Sequence, residues 1–290
     1  MSKPRTLPFQ VDHTSANVLT VRMDVGGTNW ERWFLLQSDE HWDSTHCDRK
    51  LLTRHHTEAV ERGAGILKFG DTFDCMGGRW DKRSDKSNLR PEHQHGDYID
   101  ALVRTAADYY QPFASNILLF GDGNHETAMR KAHETDLIER LCATLNDRTG
   151  ACIQHGGYSG WVRFIFKRCE QRASRRLWYF HGSGGGGPVT QDMIQGNRQQ
   201  VYVENADVMV FGHTHDCWSM ERPKLRLNDM GVVEHRTLLQ AKCASYKDAY
   251  REGRGSWEVE RGMPPKPLGG WWLHVTWRDE APHLELLRAN

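Results

Sequence analysis

At 290 residues the chain is long enough for one large α/β domain or two small ones, and its apolar fraction of 38%, rich in tryptophan, suffices for a core. Lysine plus arginine equals aspartate plus glutamate, so global charge makes no case for nucleic acid or an anionic membrane. Seven scattered cysteines without a CxxC pair argue against a disulfide framework or a zinc knuckle, and no apolar run approaches a membrane span. The opening residues are polar and mixed, without the apolar core of a leader, so the expectation is a soluble protein of a reducing cytoplasm with no membrane partner.

Val18–Val25 alternates and ends in Gly26-Gly27-Thr28-Asn29, after which Arg32–Gln37 resumes as a strand. This predicts a β-hairpin whose second arm delivers Asp39. Cys47 to Arg62 has helical spacing and stops at Gly63, with Asp48 placed to cap it. A strand over Ile66–Phe69 follows. Residues 72–95 are polar and hold Arg79, Lys82, Arg83, Lys86 and Arg90, a lid-like insertion beside a chemical motif. A helix is predicted from about Asp97 to Tyr110, a strand over Asn116–Phe120 and a helix over Thr135–Asn146. Strands are predicted over Trp161–Phe166, Leu177–Phe180, Val208–Phe211, Val232–Gln240 and Trp271–Trp277, and Pro264 onward reads as a closing edge hairpin. Ser183–Pro188, with its four glycines, reads as a wide turn, with phosphate cradling by its amides as the alternative. Residues 163–176 carry six cations against one acid, read as a solvated strand and turn or as a patch that meets phosphates.

The chemistry lies in short segments that end the apolar runs. Asp39-Glu40-His41 follows Trp33–Leu36, and Gly70-Asp71-Thr72-Phe73-Asp74 follows Ile66–Phe69. Gly121-Asp122-Gly123-Asn124-His125-Glu126 follows Ile117–Phe120, His181-Gly182 follows Leu177–Phe180, and Gly212-His213-Thr214-His215 follows Val208–Phe211. Ligands at the C-terminal ends of several strands converge on one rim of a sheet. Two divalent ions about 3.5–4 Å apart can hold a bridging hydroxide and clamp both oxygens of an in-line phosphoryl displacement. That needs a shared carboxylate flanked by imidazole, carboxamide and carboxylate donors. Asp39 and His41, two apart at a strand end, fall on one side of the chain. Asp71 is the natural bridge, Asn124 a neutral oxygen donor, and His181, His213 and His215 complete the set. The motifs run from residue 39 to residue 215 and must meet, so a single domain over 1–290 is expected, with core motifs in 33–216 and a strand-rich C-terminal part.

In these segments the chain resembles the calcineurin-like metallophosphoesterase superfamily, whose pattern is DxH, GDxxD, GNH(D/E), H and GHxH in that order. The resemblance implies a four-layer α/β/β/α sandwich of two mixed sheets flanked by helices, with a dinuclear site at the rim. It implies that Asp39, His41 and His215 hold one metal, that Asn124, His181 and His213 hold the other, and that Asp71 bridges them. It makes His125 the residue that protonates or stabilises the leaving oxygen, and Asp74 the carboxylate that orients His125. Asp74 is followed by Cys75-Met76 rather than Arg-Gly, a departure from the protein Ser/Thr phosphatases. The expectation is a phosphodiesterase acting on nucleotides or nucleic acid, with a phosphomonoesterase of a small metabolite or phosphoprotein as the alternative and a non-catalytic scaffold behind both. The cofactors expected are two divalent ions, Mn²⁺ first, then Fe or Zn²⁺. Arg83, Arg90 and His93 of the insertion are the expected substrate contacts.

Overall fold

The computed structural model describes residues 7–27, 29–77, 89–94, 96–250 and 257–290. Its strands are β1 (Gln10–Ser15), β2 (Val18–Asp24), β3 (Glu31–Gln37), β4 (Gly65–Lys68), β5 (Ile117–Phe120), β6 (Gln154–His155), β7 (Ser159–Arg168), β8 (Gln171–Phe180), β9 (Val208–Phe211), β10 (Trp218–Leu227), β11 (Val233–Lys242), β12 (Gly270–Arg278) and β13 (Ala281–Ala289). Its principal helices are α1 (Arg49–Glu61), α2 (Tyr98–Tyr110), α3 (Asn124–His133), α4 (Leu137–Thr149) and α5 (Met193–Gln199).

The strands form two mixed sheets, β1-β2-β7-β8-β9-β11-β10 and β13-β12-β3-β4-β5-β6. β4, β5 and β9 are buried on both faces, as central parallel strands require, and all but Lys68 of their residues are apolar or glycine. Between the sheets lies a core that includes Val21, Met23, Phe34, Leu36, Leu67, Phe164, Leu177 and Val210. Leu52 of α1, Leu102 and Tyr110 of α2 and Leu141 of α4 pack on the outer face of the second sheet with Leu35, Ile66 and Phe120. The outer face of the first sheet, with Trp178, Phe211 and Trp218, takes Met193 of the seven-residue α5. The result is the expected α/β/β/α order with one thin outer layer. No helix among the described residues is long and apolar enough to cross a membrane.

The hairpin expected between residues 18 and 37 does not form. β2 pairs with β1 and β7, whereas β3 pairs with β12 and β4 in the other sheet. Period-two alternation says that each segment is a strand with one buried face, but not which sheet it joins. Both strands turn their apolar residues into the same inter-sheet core, so a link across that core serves as well as a turn. The actual hairpin is β1–β2, and β1 is too polar and exposed to announce itself. Other readings hold. Asp48 accepts hydrogen bonds from Lys50 N and Leu51 N at 3.1 and 3.0 Å, Gly63 ends α1 at φ +61°, and β12–β13 is the closing edge hairpin.

One feature of β4 runs against its apolar context. Lys68 is 1% exposed, and its ammonium donates to Glu40, to Gln37 Oε1 at 3.1 Å and to His56 Nε2 at 2.9 Å. Glu40 also accepts from the Tyr110 hydroxyl. Glu40 thus points into the core while its neighbours Asp39 and His41 point to the rim. Lys68→Met strands a buried carboxylate and is expected to cost about 3–5 kcal/mol in urea unfolding, with much of the loss recovered in Glu40→Gln/Lys68→Met. A loss below about 1 kcal/mol would mean that the pair behaves as an exposed one.

Candidate metal centre

β3, β4 and β5 run parallel, as do β8 and β9, and their C-terminal ends share one rim. The sheets are joined there by Asp39, whose two carboxylate oxygens accept from His213 N at 3.0 and 2.9 Å. Asp39, His41, Asp71, His213 and His215 all have left-handed backbone, with φ of 55°, 46°, 50°, 82° and 58°. Each such residue costs of order 1–3 kcal/mol, and strain of this kind gathers at functional sites. It also explains how Asp39 and His41 come to face one way. The chain has left the pleat, and two left-handed residues turn both side chains to the rim.

Three types of metal-ligating side chain, Asp, Asn and His, converge in two groups. In one, Asp39, His41 and His215 bring ligand atoms within 4.8 Å of one another. In the other, Asp71, His181 and His213 do the same, and Asn124 Oδ1 lies 3.2 Å from His181 Nε2 and 2.7 Å from His213 Nδ1. Every expected ligand is therefore in one of the two groups.

The tautomers test whether these groups suit a cation. His213 Nε2 donates to Gly184 O at 2.8 Å, and His181 Nδ1 donates to Phe69 O at 2.9 Å. His41 Nδ1 lies 2.8 Å from Asp74 Oδ1. Each imidazole thus spends its proton outward, on a carbonyl or a carboxylate, and aims its other nitrogen inward. This is the arrangement that holds metal-ligating histidines. His41 Nε2 then faces His215 Nε2 at 3.0 Å, and His181 Nε2 faces Asp71 Oδ2 at 3.2 Å. Each of these close pairs needs a positive charge between its atoms, a proton or a metal ion. Burial lowers His41 to about 4 and also lowers His213, which keeps both neutral. Burial also opposes charge on His181, but Asp71 overrides it and lifts the imidazole to about 9. Burial would raise Asp39 and Asp71, yet His215 and His181 respectively lead the groups that hold them well below the usual carboxylate range. The donor set fits divalent cations, with oxygen and nitrogen donors and no thiolate.

Two buried carboxylates shape the loops. Glu126 accepts from Gly123 N at 2.8 Å, Asp71 N at 3.1 Å and Phe73 N at 2.9 Å, tying the start of α3 to the Asp71 loop. Asp43 accepts from Asp74 N at 2.5 Å and Cys75 N at 3.0 Å, and burial and Asp74 raise it to about 6. Asp43 therefore has a structural role, holding the Asp74 loop to the segment after His41. Gly123 is required by close approach: a Cβ there would lie 2.0 Å from Asp71 Oδ1 and 2.4 Å from Asp71 N. Gly123→Ala is expected to push Asp71 out of its group and cut metal affinity by on the order of 10–100-fold, as for other residues that orient a ligand. Calorimetric titration with Mn²⁺ checks it, and unchanged affinity would show that the loop yields freely.

His125 opens α3. Its Nδ1 donates to the backbone carbonyl of Asp74 at 2.6 Å, while the Asp74 carboxylate is 3.8 Å away. The expected orienting role of Asp74 is thus divided: its carbonyl orients His125, and its carboxylate holds His41 and meets Lys247 Nζ at 3.3 Å. Sequence reasoning missed Lys247, because a lysine in a loop far along the chain carries no signal until the loop is seen to return.

The expected substrate contacts fall elsewhere. Arg90 donates to the carbonyls of Ser44 and Cys47 at 2.8 and 3.0 Å. His93 is buried, with Nε2 2.9 Å from Thr105 Oγ1 and its ring 5.5 Å from Trp42. Both are occupied in folding residues 89–93 back onto the first helices. Arg83 lies outside the described residues, as do Arg79, Lys82 and Lys86. The cations of residues 163–176 belong to the β7–β8 hairpin and line no part of the cleft. The cleft over the two groups measures about 620 Å³ and is bounded by Gly184–Gly186 and by residues 247–250 and 261–266. A further set, Asp122, Asp136 and His155, is bound up in ion pairs, with Arg130 on both carboxylates.

No protein-family model matches the chain, and no curated protein matches it. Solved structures similar in fold include vacuolar protein sorting 29 from Cryptosporidium parvum, at 11% identity and a TM-score of 0.33 over 89% of this chain and 98% of that one. Vps29 from Entamoeba histolytica, complexed with Zn²⁺, is 12% identical at a TM-score of 0.33, over 89% and 99%. Vps29 from Chaetomium thermophilum is 8% identical at 0.35, over 89% and 96%. At such values the chemistry has to be read from this chain's own residues.

Proposed function

We propose that the chain is a dinuclear metal-dependent phosphoesterase of the calcineurin-like kind, acting on phosphodiesters of nucleotides. The observation that carries this reading is the convergence of Asp39, His41 and His215 in one group and of Asp71, Asn124, His181 and His213 in the other, at the C-terminal rim of the strands. Asp39, His41 and His215 would hold one ion, and Asn124, His181 and His213 the other, with Asp71 shared. When bound, such ions lower the pKa of water and offset the charge of a phosphoryl group. The protein residues do the rest. The left-handed loops fix the ligands in advance. His125, its Nδ1 committed to the Asp74 carbonyl, keeps Nε2 at the cleft, where it can donate a proton to a leaving oxygen. Lys247 and the Asp74 carboxylate set the position of His41.

The test is turnover by protein reconstituted with Mn²⁺, Fe or Zn²⁺, comparing bis-p-nitrophenyl phosphate with p-nitrophenyl phosphate. The expected result is metal-dependent hydrolysis with the diester preferred. Preference for the monoester would favour a phosphomonoesterase, and no turnover with two ions bound would favour a scaffold.

A further inference from the structure

The cleft has a wall that neither the metal ligands nor His125 explain. After β11 the chain returns to the rim, and Tyr250, Met263, Pro264 and Pro265 face the same cavity as His125 and His213. Tyr250 is 38% exposed, and its hydroxyl donates to Met263 O, which fixes the ring against the second half of the wall. Pro264 and Pro265 have no N–H to offer and hold their backbone stiffly, so this surface is apolar and pre-shaped. The neighbouring boundary is Gly184–Gly186, residues with no side chain of their own; Gly184 O accepts from His213 Nε2, and the peptide of Gly185 is exposed beside it. The combination is an aromatic face, a stiff apolar floor and an edge of hydrogen-bonding backbone.

We propose that this wall is a subsite for one nucleobase of a small phosphodiester, with the Tyr250 ring as its stacking face. The proposal rests on the phosphoesterase reading of the same cleft and names its substrate class. Three observations favour a nucleobase. The cavity of about 620 Å³ is of the size that encloses a small molecule, and a single nucleotide fits it. A flat ring is what an aromatic face recognises irrespective of sequence, through stacking. The glycine backbone gives polar edges a partner, which an acyl or alkyl group could not use.

The experiment is calorimetric titration of the full chain, loaded with metal, with thymidine 5′-monophosphate and with methyl phosphate. The nucleotide is expected to bind more tightly by about tenfold or more, the order set by stacking on one aromatic ring. Tyr250→Ala should weaken the nucleotide about tenfold more than it weakens methyl phosphate, while Tyr250→Phe, which keeps the ring, retains most of the preference. Equal affinity for the two ligands, or an equal loss of both in Tyr250→Ala, overturns the subsite. The KM for thymidine 5′-p-nitrophenyl phosphate against methyl p-nitrophenyl phosphate gives the second readout. Nucleotide preference in binding without turnover of either ester would sink the hydrolase reading and leave the subsite standing. Turnover of both esters without nucleotide preference would do the reverse.

Discussion

Asp71→Asn is expected to abolish metal binding at both positions while the chain stays folded. In the proposed centre this side chain is the shared carboxylate. Its Oδ1 accepts from His125 N at 3.0 Å, and its Oδ2 lies 3.2 Å from His181 Nε2. The amide removes the charge that opposes burial and lifts His181 to about 9. Loss of a residue that merely orients a ligand costs about 10–100-fold in metal affinity, so loss of a shared ligand should cost at least as much. Metal content per chain after dialysis, alongside the thermal midpoint, measures it. Two ions retained by a folded Asp71→Asn chain would end the assignment of Asp71 as the bridge.

His125→Ala should behave in the opposite way, keeping both ions and losing rate. None of the metal-directed nitrogens belongs to His125, and its Nδ1 is spent on the Asp74 carbonyl. The side chain is close to the surface of the cleft, so its removal opens space through which water can reach the Asp74 carbonyl that it leaves behind. A lost general acid slows hydrolysis by roughly 10²–10⁴. The loss should shrink for p-nitrophenyl esters, whose leaving group needs no proton, and be full for alkyl esters. An equal loss on both would assign His125 to charge stabilisation instead.

How much of this was legible in the chain depended on how local the cause is. The runs Ile117–Phe120 and Val208–Phe211 are strands buried on both faces because nothing but apolar residues fills them, and that is written in sequence. The order of carboxylates, imidazoles and carboxamide at their ends was equally plain, and all seven expected ligands meet at one rim. Helix limits at Asp48 and Gly63 followed from local hydrogen bonding and backbone freedom.

What only the tertiary structure decided was partnership. Alternation marked β2 and β3 as strands, but the same pattern serves either sheet, and they joined different ones. The cations of the insertion looked free, yet Arg90 is held by the carbonyls of Ser44 and Cys47. Lys247 and Tyr250 had no motif, and reached the cleft because β11 returns the chain to the rim. The left-handed turns that aim Asp39, His41, Asp71, His213 and His215 could not be read from residue type, because Asp and His enter that region more often than other side chains yet still do so only in a small minority of places. Sequence fixes what short-range sterics and hydrogen bonding dictate. Which distant side chain compensates a buried charge, and which loop closes a cavity, is settled by packing across the whole chain.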